Sequence, residues 1–295
     1  MSLPFTLLID PLAADDASSA TADTFREVDP SAPALRVGEL STQRGDGIFE
    51  TIAVVDGHAQ DAGPHLARLV RSAEICELPV PNVAQWRAAI AHALDRVPHE
   101  GELAMRLVLS RGVEHGPAPT AWLSVTKAAD FTRVRENGIA VVTLDRGYSS
   151  AAAENAPWLL LGAKTLSYAV NMAALREAAR RGADDTIFVT SDGFVMEGPT
   201  SSVILRFGDT FATPAPSGAI LHGTTQISLF EHLAAAGHTV VEREITVDEL
   251  RSADAAWLVS SVRQAVAVTT LDGEPFPHDL DLTASFNRYL LSPRD

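Results

Sequence analysis

Lys164 closes the apolar run Trp158-Leu159-Leu160-Leu161-Gly162-Ala163, with Tyr168 four residues further on and Glu197 thirty-three residues further on in Met-Glu-Gly-Pro-Thr-Ser-Ser. A lysine at the end of a buried strand loses hydration, which disfavours its ammonium form and frees the amine to attack carbonyls. Tyr168, one helical turn beyond it in the expected helix, can present its hydroxyl on the same face. Gly223-Thr224-Thr225-Gln226 opens an amphipathic helical pattern. Free backbone N–H groups, the helix dipole and two hydroxyls at such a start suit a phosphate. Arg68 offers a forked guanidinium to the same kind of anion.

Those residues together meet the needs of pyridoxal 5'-phosphate chemistry: an amine for the aldehyde, an anion beside the pyridine nitrogen, a partner for the ring hydroxyl and donors for a dianionic phosphate. Lys164, Glu197, Tyr168 and the 223–226 segment with Arg68 fill these places in turn. Each residue alone also has a structural reading. A lysine after an apolar strand can be a rim residue, Glu197 a strand-end charge, Tyr168 a packed aromatic with a wet hydroxyl, Thr224 and Thr225 plain N-caps, and Arg68 a solvated helix cation. Their joint presence in one chain carries the chemical reading.

Bulk properties bound the setting. At 295 residues, 46% hydrophobic and 21% charged, the chain has an ordinary globular composition and the length for two domains. The net charge of −15 repels nucleic acid and anionic membranes at long range, so an anionic ligand needs cations and helix N-termini gathered locally. No apolar stretch has the length of a membrane span and the N-terminus lacks the basic start of a secretion signal, which makes the cytoplasm the expected compartment. The single cysteine, Cys76, forms no internal disulfide, gives no framework for a metal site and reads as a small core residue.

The elements that must position the candidates read as follows. Residues 6–10 resemble an edge strand, and residues 11–30 a mobile loop rich in Ala, Asp, Ser and Thr. A glycine-bounded strand over 48–55 ends at the hairpin signal Asp56-Gly57. Helical spacing over 65–78 and 86–97 precedes strand-like segments at 103–110, 120–125 and 139–144, giving an α+β first half with a mostly antiparallel sheet. This places a small domain at 1–145, an interdomain linker at 146–157 rich in small residues, and a larger domain at 158–295. In the larger domain a helix is expected from Lys164 to about Arg181, ended by Arg180-Arg181-Gly182. A hairpin follows over 186–197, with Glu197 at its far end. Strand-like pieces at 203–206, 210–212, 239–243 and 256–260 surround a helix beginning at Thr224 or Thr225.

Seven pieces, in order, resemble the class IV aminotransferase family, the fold type IV pyridoxal-phosphate enzymes: Arg44-Gly-Asp-Gly-Ile-Phe-Glu-Thr51, His65-Leu-Ala-Arg-Leu69 with Ser72-Ala73, Arg106-Leu-Val-Leu-Ser-Arg-Gly112, Lys164-Thr-Leu-Ser-Tyr168, Glu197-Gly198, Gly223-Thr-Thr-Gln226 and Ser260-Ser261. The resemblance covers nearly the whole chain. It implies a D-amino acid aminotransferase-like fold, a small α+β domain beside a larger domain with a β-barrel-like sheet and helices, and a homodimer. By position it implies Lys164 as the lysine that condenses with the cofactor, Glu197 as the pyridine-nitrogen partner, Tyr168 as the ring-hydroxyl partner, and Arg68, Thr224, Thr225 and Ser261 as phosphate binders. Where family aminotransferases often carry Gly-Thr, this chain has Ser260-Ser261, so the phosphate-binding hydroxyl there is assigned to that pair.

Within the family the substrate contacts decide the reaction. The resemblance is strongest to aminodeoxychorismate lyase, through Lys164-Thr-Leu-Ser-Tyr-Ala-Val-Asn-Met172 and Ser260-Ser-Val-Arg263. It implies conversion of 4-amino-4-deoxychorismate to 4-aminobenzoate and pyruvate. Amino transfer on branched-chain or D-amino acids is the alternative, and a cofactor-free binding protein the distant one. A small anionic, amino-acid-like substrate with two carboxylates calls for several cations, and Arg106, Arg111 and Arg263 are the candidates. Arg106 and Arg111 are an odd number of positions apart, so on one strand they share a face only if the chain bends near Gly112.

Overall fold

A computed structural model describes residues 3–17, 21–216 and 219–295. The chain divides into two compact units, Met1–Ala129 with Ala163–Tyr168 and Pro293–Asp295, and Asp130–Gly162 with Ala169–Ser292.

The first unit contains β1 (Phe5–Ile9), β2 (Phe25–Glu27), α1 (Leu40–Gln43), β3 (Gly47–Val55), β4 (His58–Ala59), α2 (Ala62–Ile75), α3 (Val83–Leu94), β5 (Glu102–Ser110) and β6 (Thr120–Lys127). Among the described residues its sheet runs β2-β1-β6-β5-β3-β4 and is antiparallel throughout. The β3–β4 turn forms as the sequence predicts, because Asp56 and Gly57 both adopt positive φ, 46° and 82°, the geometry whose twist matches flanking strands. The alternation of β5 sends Leu103, Met105, Leu107 and Leu109 into a core shared with Leu66, Leu69 and Ala73 of α2 and Trp86, Ala89 and Ile90 of α3. Cys76 lies in this core, as expected, and burial, seconded by the Asp46 charge, pushes its thiol pKa up.

Two readings of the N-terminal segment change. The strand at 6–10 is interior, since β2 lies outside it. The 11–30 segment holds β2 and a short 3-10 turn at Thr21–Thr24, although residues 18–20 lie outside the described residues. Distant side chains tie it down. Asn82 donates to Ala13 O and Asp16 O, both at 2.9 Å, and Gln85 donates to Asp10 O at 2.8 Å. No local pattern in an Ala/Asp/Ser-rich stretch reveals partners some seventy residues away.

The second unit contains α4 (Thr132–Asn137), β7 (Ile139–Asp145), α5 (Ala152–Asn155), α6 (Ala169–Arg180), β8 (Asp185–Val189), β9 (Ser202–Phe207), β10 (Thr210–Pro214), α7 (Thr224–Ala235), β11 (Thr239–Arg243), α8 (Val247–Ser252), β12 (Ala255–Ser260), β13 (Gln264–Leu271), β14 (Glu274–Pro275) and α9 (Leu280–Leu290). The mixed sheet runs β11-β10-β9-β12-β13-β7-β8, with parallel pairs at β10–β11, β13–β7 and β7–β8. Val195 bridges to Val189 at the end of β8 and Phe194 to Thr246 just after β11, so the sheet curls into the barrel-like form expected. Its strands bury both faces. Val203, Leu205, Ala256, Leu258, Val266 and Val268 face one core; Ile204, Ala255, Trp257, Val259, Ala265 and Ala267 face another, covered by Leu229 and Leu233 of α7 and Phe286 and Leu290 of α9. Strands covered on both sides read as continuous apolar runs, as 255–259 does.

The expected boundaries at 145 and 158 differ from these units. Strand β7 pairs in parallel with β13 and β8, and parallel partners are not marked by any local turn signal. The presumed linker 146–157 is pinned to the β8 hairpin: Arg146 N donates to Val189 O, Ser191 N to Tyr148 O, and Ser150 N and Oγ to Asp192. Residues 158–163 are not a buried strand. Pro157–Leu159 is a 3-10 turn, Leu160 and Gly162 take positive φ, and Trp158 is 75% exposed. No helix among the described residues is long and apolar enough to cross a membrane.

Candidate active site

Lys164 owes its place to backbone pairing. Phe49 N donates to Lys164 O at 2.9 Å, Leu166 N donates to Gly47 O at 2.8 Å, and Lys164 N donates to Ser72 Oγ on α2 at 3.1 Å. The segment 164–168 is therefore an irregular extended strip along β3, not the expected helical turn; α6 starts only at Ala169. The strip still brings Tyr168 Oη to 3.5 Å from Lys164 Nζ. The amine stands 4.7 Å from the Phe49 ring centroid, and the Phe49 and Tyr168 rings meet edge to face at 5.2 Å.

Arg106 shares that ring. Its guanidinium carbon lies 4.3 Å from the Phe49 centroid, because Thr51, its cross-strand partner, and Phe49 lie on the same face of β3. Arg111 does not join it. Beyond the end of β5, Arg111 donates from Nε to Asp46 Oδ2 at 2.8 Å and from Nη1 and Nη2 to Glu77 O and Cys76 O at 3.0 and 2.8 Å. Its guanidinium ties the end of α2 to the Arg44–Gly47 turn. The odd spacing separates the two arginines as the strand period requires.

Arg68 is buried on α2 beside Glu50 of β3. Nε and Nη2 donate to the two carboxylate oxygens, both at 2.7 Å, and His65 Nδ1 lies 2.7 Å from Glu50 Oε2. Burial raises the Glu50 carboxyl pKa, but the charge and hydrogen bonds of Arg68, seconded by His65, outweigh it and hold that pKa well below 4.5. Burial also holds His65 below 6.5 against the pull of Glu50. Sequence reasoning missed Glu50 and His65 as partners of Arg68. The i,i+3 spacing of His65 and Arg68 on one helix face was the available signal.

In the second unit, the expected hairpin forms around Ser191-Asp192-Gly193, with Phe188 N donating to Glu197 O and Met196 N to Phe188 O. The Glu197 side chain accepts from Leu221 N at 3.2 Å. Tyr148, from the presumed linker, is a neighbour that the sequence did not reveal. Burial raises its pKa, Arg146 opposes this, and the Glu197 charge adds to it. Helix α7 is preceded by Gly223, which supplies no side-chain cap, and Thr224 and Thr225 at its first turn are buried. A Cβ at position 223 would displace Ser202 Oγ of β9, so the glycine lets β9 pack closely against the start of α7. Thr225 Oγ1 and Ser261 Oγ lie 3.4 Å apart. Ser261, in the β12–β13 turn, makes this contact; Ser260 ends β12 opposite Gln264. Arg263 is drawn to buried Asp185, Nη1 to Oδ2 at 2.7 Å.

One further signal lay in the composition. Of 23 basic residues only Lys127 and Lys164 are lysines, and Lys127 is exposed at the end of β6.

Residues 47–271 match the family model for amino-transferase class IV. A Mycobacterium tuberculosis protein described as a bifunctional aminodeoxychorismate lyase / D-amino acid transaminase is 45% identical over 258 residues, covering 84% of this chain and 89% of that protein. Among solved structures, a fold IV-transaminase from Curtobacterium pusillum superposes with a TM-score of 0.93 at 47% identity over 98% of both chains. The PLP-bound form of a hypothetical aminotransferase from Mycobacterium tuberculosis gives 0.87 at 39% identity over 97% of both. The fold is thus the two-domain fold type IV architecture, and a lysine-tyrosine pair, an acidic hairpin end and a hydroxyl-lined helix start lie within the matched segment. The chain belongs to the class IV aminotransferases, enzymes that act as pyridoxal-phosphate-dependent transaminases or lyases.

Proposed function

We propose that the protein is a pyridoxal-phosphate-dependent aminodeoxychorismate lyase, which releases pyruvate from 4-amino-4-deoxychorismate and leaves 4-aminobenzoate, and that amino transfer from D-amino acids is a second activity of the same residues. The observation that carries this reading is the pairing on Phe49: the Lys164 amine at 4.7 Å and the Arg106 guanidinium at 4.3 Å from one ring centroid. An amine able to move a proton beside a cation able to hold a carboxylate suits an anionic amine substrate. The 45% identical relative carries both activities in its description.

The donor set fits the cofactor. Thr225 and Ser261 hydroxyls 3.4 Å apart at a helix start with no side-chain cap form a cradle for an anion, and a carboxylate at Glu197 suits a protonated ring nitrogen. Lys164 would hold the aldehyde carbon, Tyr168 the ring oxygen, Glu197 the ring nitrogen, and Thr224, Thr225, Ser261 and Arg68 the phosphate. Pyridoxal phosphate, when bound, supplies an aldehyde that condenses with amines and a ring that accepts electrons. Lys164 Nζ takes the proton from the substrate carbon that bears the amine and returns it where the reaction requires. Tyr168 Oη, 3.5 Å from that nitrogen, orients it. The Phe49 and Tyr168 rings exclude water from one side of the amine, and Arg106 holds a substrate carboxylate.

Arg106→Leu is expected to lower kcat/KM for the carboxylated substrate roughly ten- to a hundredfold, mostly through KM, as loss of one charge-assisted contact does. Steady-state kinetics at constant ionic strength check this, and an unchanged KM would remove Arg106 from substrate binding.

A second reading, amino transfer alone, draws on Arg111 and Arg263, whose ion pairs with Asp46 and Asp185 leave Arg106 as the remaining cation of the three. One cation suits a monocarboxylic amino acid better than a substrate with two carboxylates. The test supplies aminodeoxychorismate with no keto acid, and separately D-amino acids with 2-oxoglutarate. Pyruvate release without an acceptor is the expected result; activity only with an acceptor would replace the lyase reading by the transaminase one.

A further inference from the structure

The turn between β12 and β13 is held at each of its carbonyls by a side chain. Residues 261–263 form a three-residue loop between the cross-strand partners Ser260 and Gln264. Gln264 Nε2 donates to Ser261 O at 2.6 Å. Arg135 of α4 donates from Nη2 to Val262 O at 2.9 Å and from Nε to Arg263 O at 3.0 Å. Peptide units are planar and trans, so fixing these three carbonyls also fixes the N–H vectors of residues 262, 263 and 264 in the opposite sense. The Ser261 hydroxyl, on the same turn, faces Thr225 at the start of α7.

This arrangement sacrifices stability. A loop of this length closes through a left-handed residue, for which glycine is the unstrained choice. Here that residue is Gln264, at φ 66° and fully buried. Its amide oxygen is buried with no hydrogen-bond partner among the described residues, a second cost. The amide orientation is fixed by its acceptor, since an amide oxygen turned toward Ser261 O would be repelled. Strain and an unsatisfied polar atom kept at one position mark a functional constraint more often than a folding one.

We propose that Gln264 and Arg135 are positioning residues that hold the Ser261 turn in the shape that receives the cofactor phosphate. They act through the turn backbone, not on the reacting atoms. The proposal rests on the pyridoxal phosphate reading above and adds how one of its anion contacts is built.

The test titrates the full-length protein, freed of cofactor, with pyridoxal 5'-phosphate and in parallel with pyridoxal, which lacks the phosphate, following visible absorbance. Gln264→Gly suits a φ of 66° and removes the donor, so it separates the hydrogen bond from the fold; Arg135→Leu removes the other two contacts. In each variant the Kd for pyridoxal 5'-phosphate is expected to rise about tenfold, the scale of one lost hydrogen bond, while the Kd for pyridoxal stays within about twofold. Thermal unfolding of the Gln264→Gly protein is expected at or above the wild-type temperature. Unchanged affinity for both ligands in both variants, or an equal loss for both ligands, would overturn the positioning role alone. A wild-type protein that binds pyridoxal 5'-phosphate no more tightly than pyridoxal would overturn the phosphate reading itself, and this proposal with it.

Discussion

Lys164→Ala is expected to lower turnover about a thousandfold or more, the combined scale of a lost nucleophile and a lost proton carrier, and to leave the fold intact. The second half of that expectation follows from where the lysine does its structural work. Its backbone N–H donates to Ser72 Oγ and its carbonyl accepts from Phe49 N, and alanine keeps both. The side chain contributes a 3.5 Å contact to Tyr168 Oη and cation–π contacts, together about 1 kcal/mol at a half-buried site. Turnover measured beside thermal unfolding separates the two effects. A variant with wild-type turnover would remove the amine from the chemistry, and a variant that unfolds would show that the strip 164–168 depends on the side chain.

The second large effect is on stability. Glu50→Gln keeps the shape of the side chain but leaves the buried Arg68 without its counter-charge, and breaking a buried pair by removing one partner costs about 3–5 kcal/mol. The pH dependence follows from the directions of the shifts. Glu50 is held below its ordinary 4.5, so its contribution is present above pH 4.5 and is lost as the pH falls below that value toward the folded pKa. His65 is held below its ordinary 6.5. The unfolded chain therefore takes up a proton below pH 6.5 that the folded chain refuses, and stability falls there too. Wild-type protein is expected to lose stability in two stages on acidification, the first beginning near pH 6.5 and the second near pH 4.5. Glu50→Gln should be less stable at pH 7 and show a smaller second stage, since Glu249, Asp279 and other carboxylates held low still contribute to it. Denaturant unfolding at a series of pH values checks both, and an unaltered midpoint at pH 7 would show that the Arg68 charge is compensated elsewhere.

What was legible in the sequence is what local chemistry writes. The Asp56-Gly57 hairpin, the amphipathic faces of α2 and α3, the hairpin leading to Glu197 and the helix beginning at Thr224 all follow from turn residues and periodicity within a few positions. What was not legible depends on distant partners. Lys164 reads as the end of a strand because Trp158 to Ala163 is apolar, yet Leu160 and Gly162 break that stretch and β3 captures the following strip by hydrogen bonds across more than a hundred positions. Arg111 and Arg263 look like free cations until Asp46 and Asp185 are seen beside them, and the Asp185 partner lies 78 residues away in the chain. Strand β7 reads as part of the first half for the same reason, since its parallel neighbours come from sequence that follows it. Gln264 carries no sequence mark of a left-handed residue at all.

The most direct test of the central claim uses the scarcity of lysine. The chain has Lys127 and Lys164, so borohydride reduction of the protein loaded with pyridoxal 5'-phosphate, followed by peptide mass spectrometry, distinguishes two side-chain amines and the N-terminus. The account predicts a stoichiometric phosphopyridoxyl adduct on the peptide containing Lys164 and none on Lys127. An adduct on Lys127 or the N-terminal amine, with Lys164 unmodified, would contradict it.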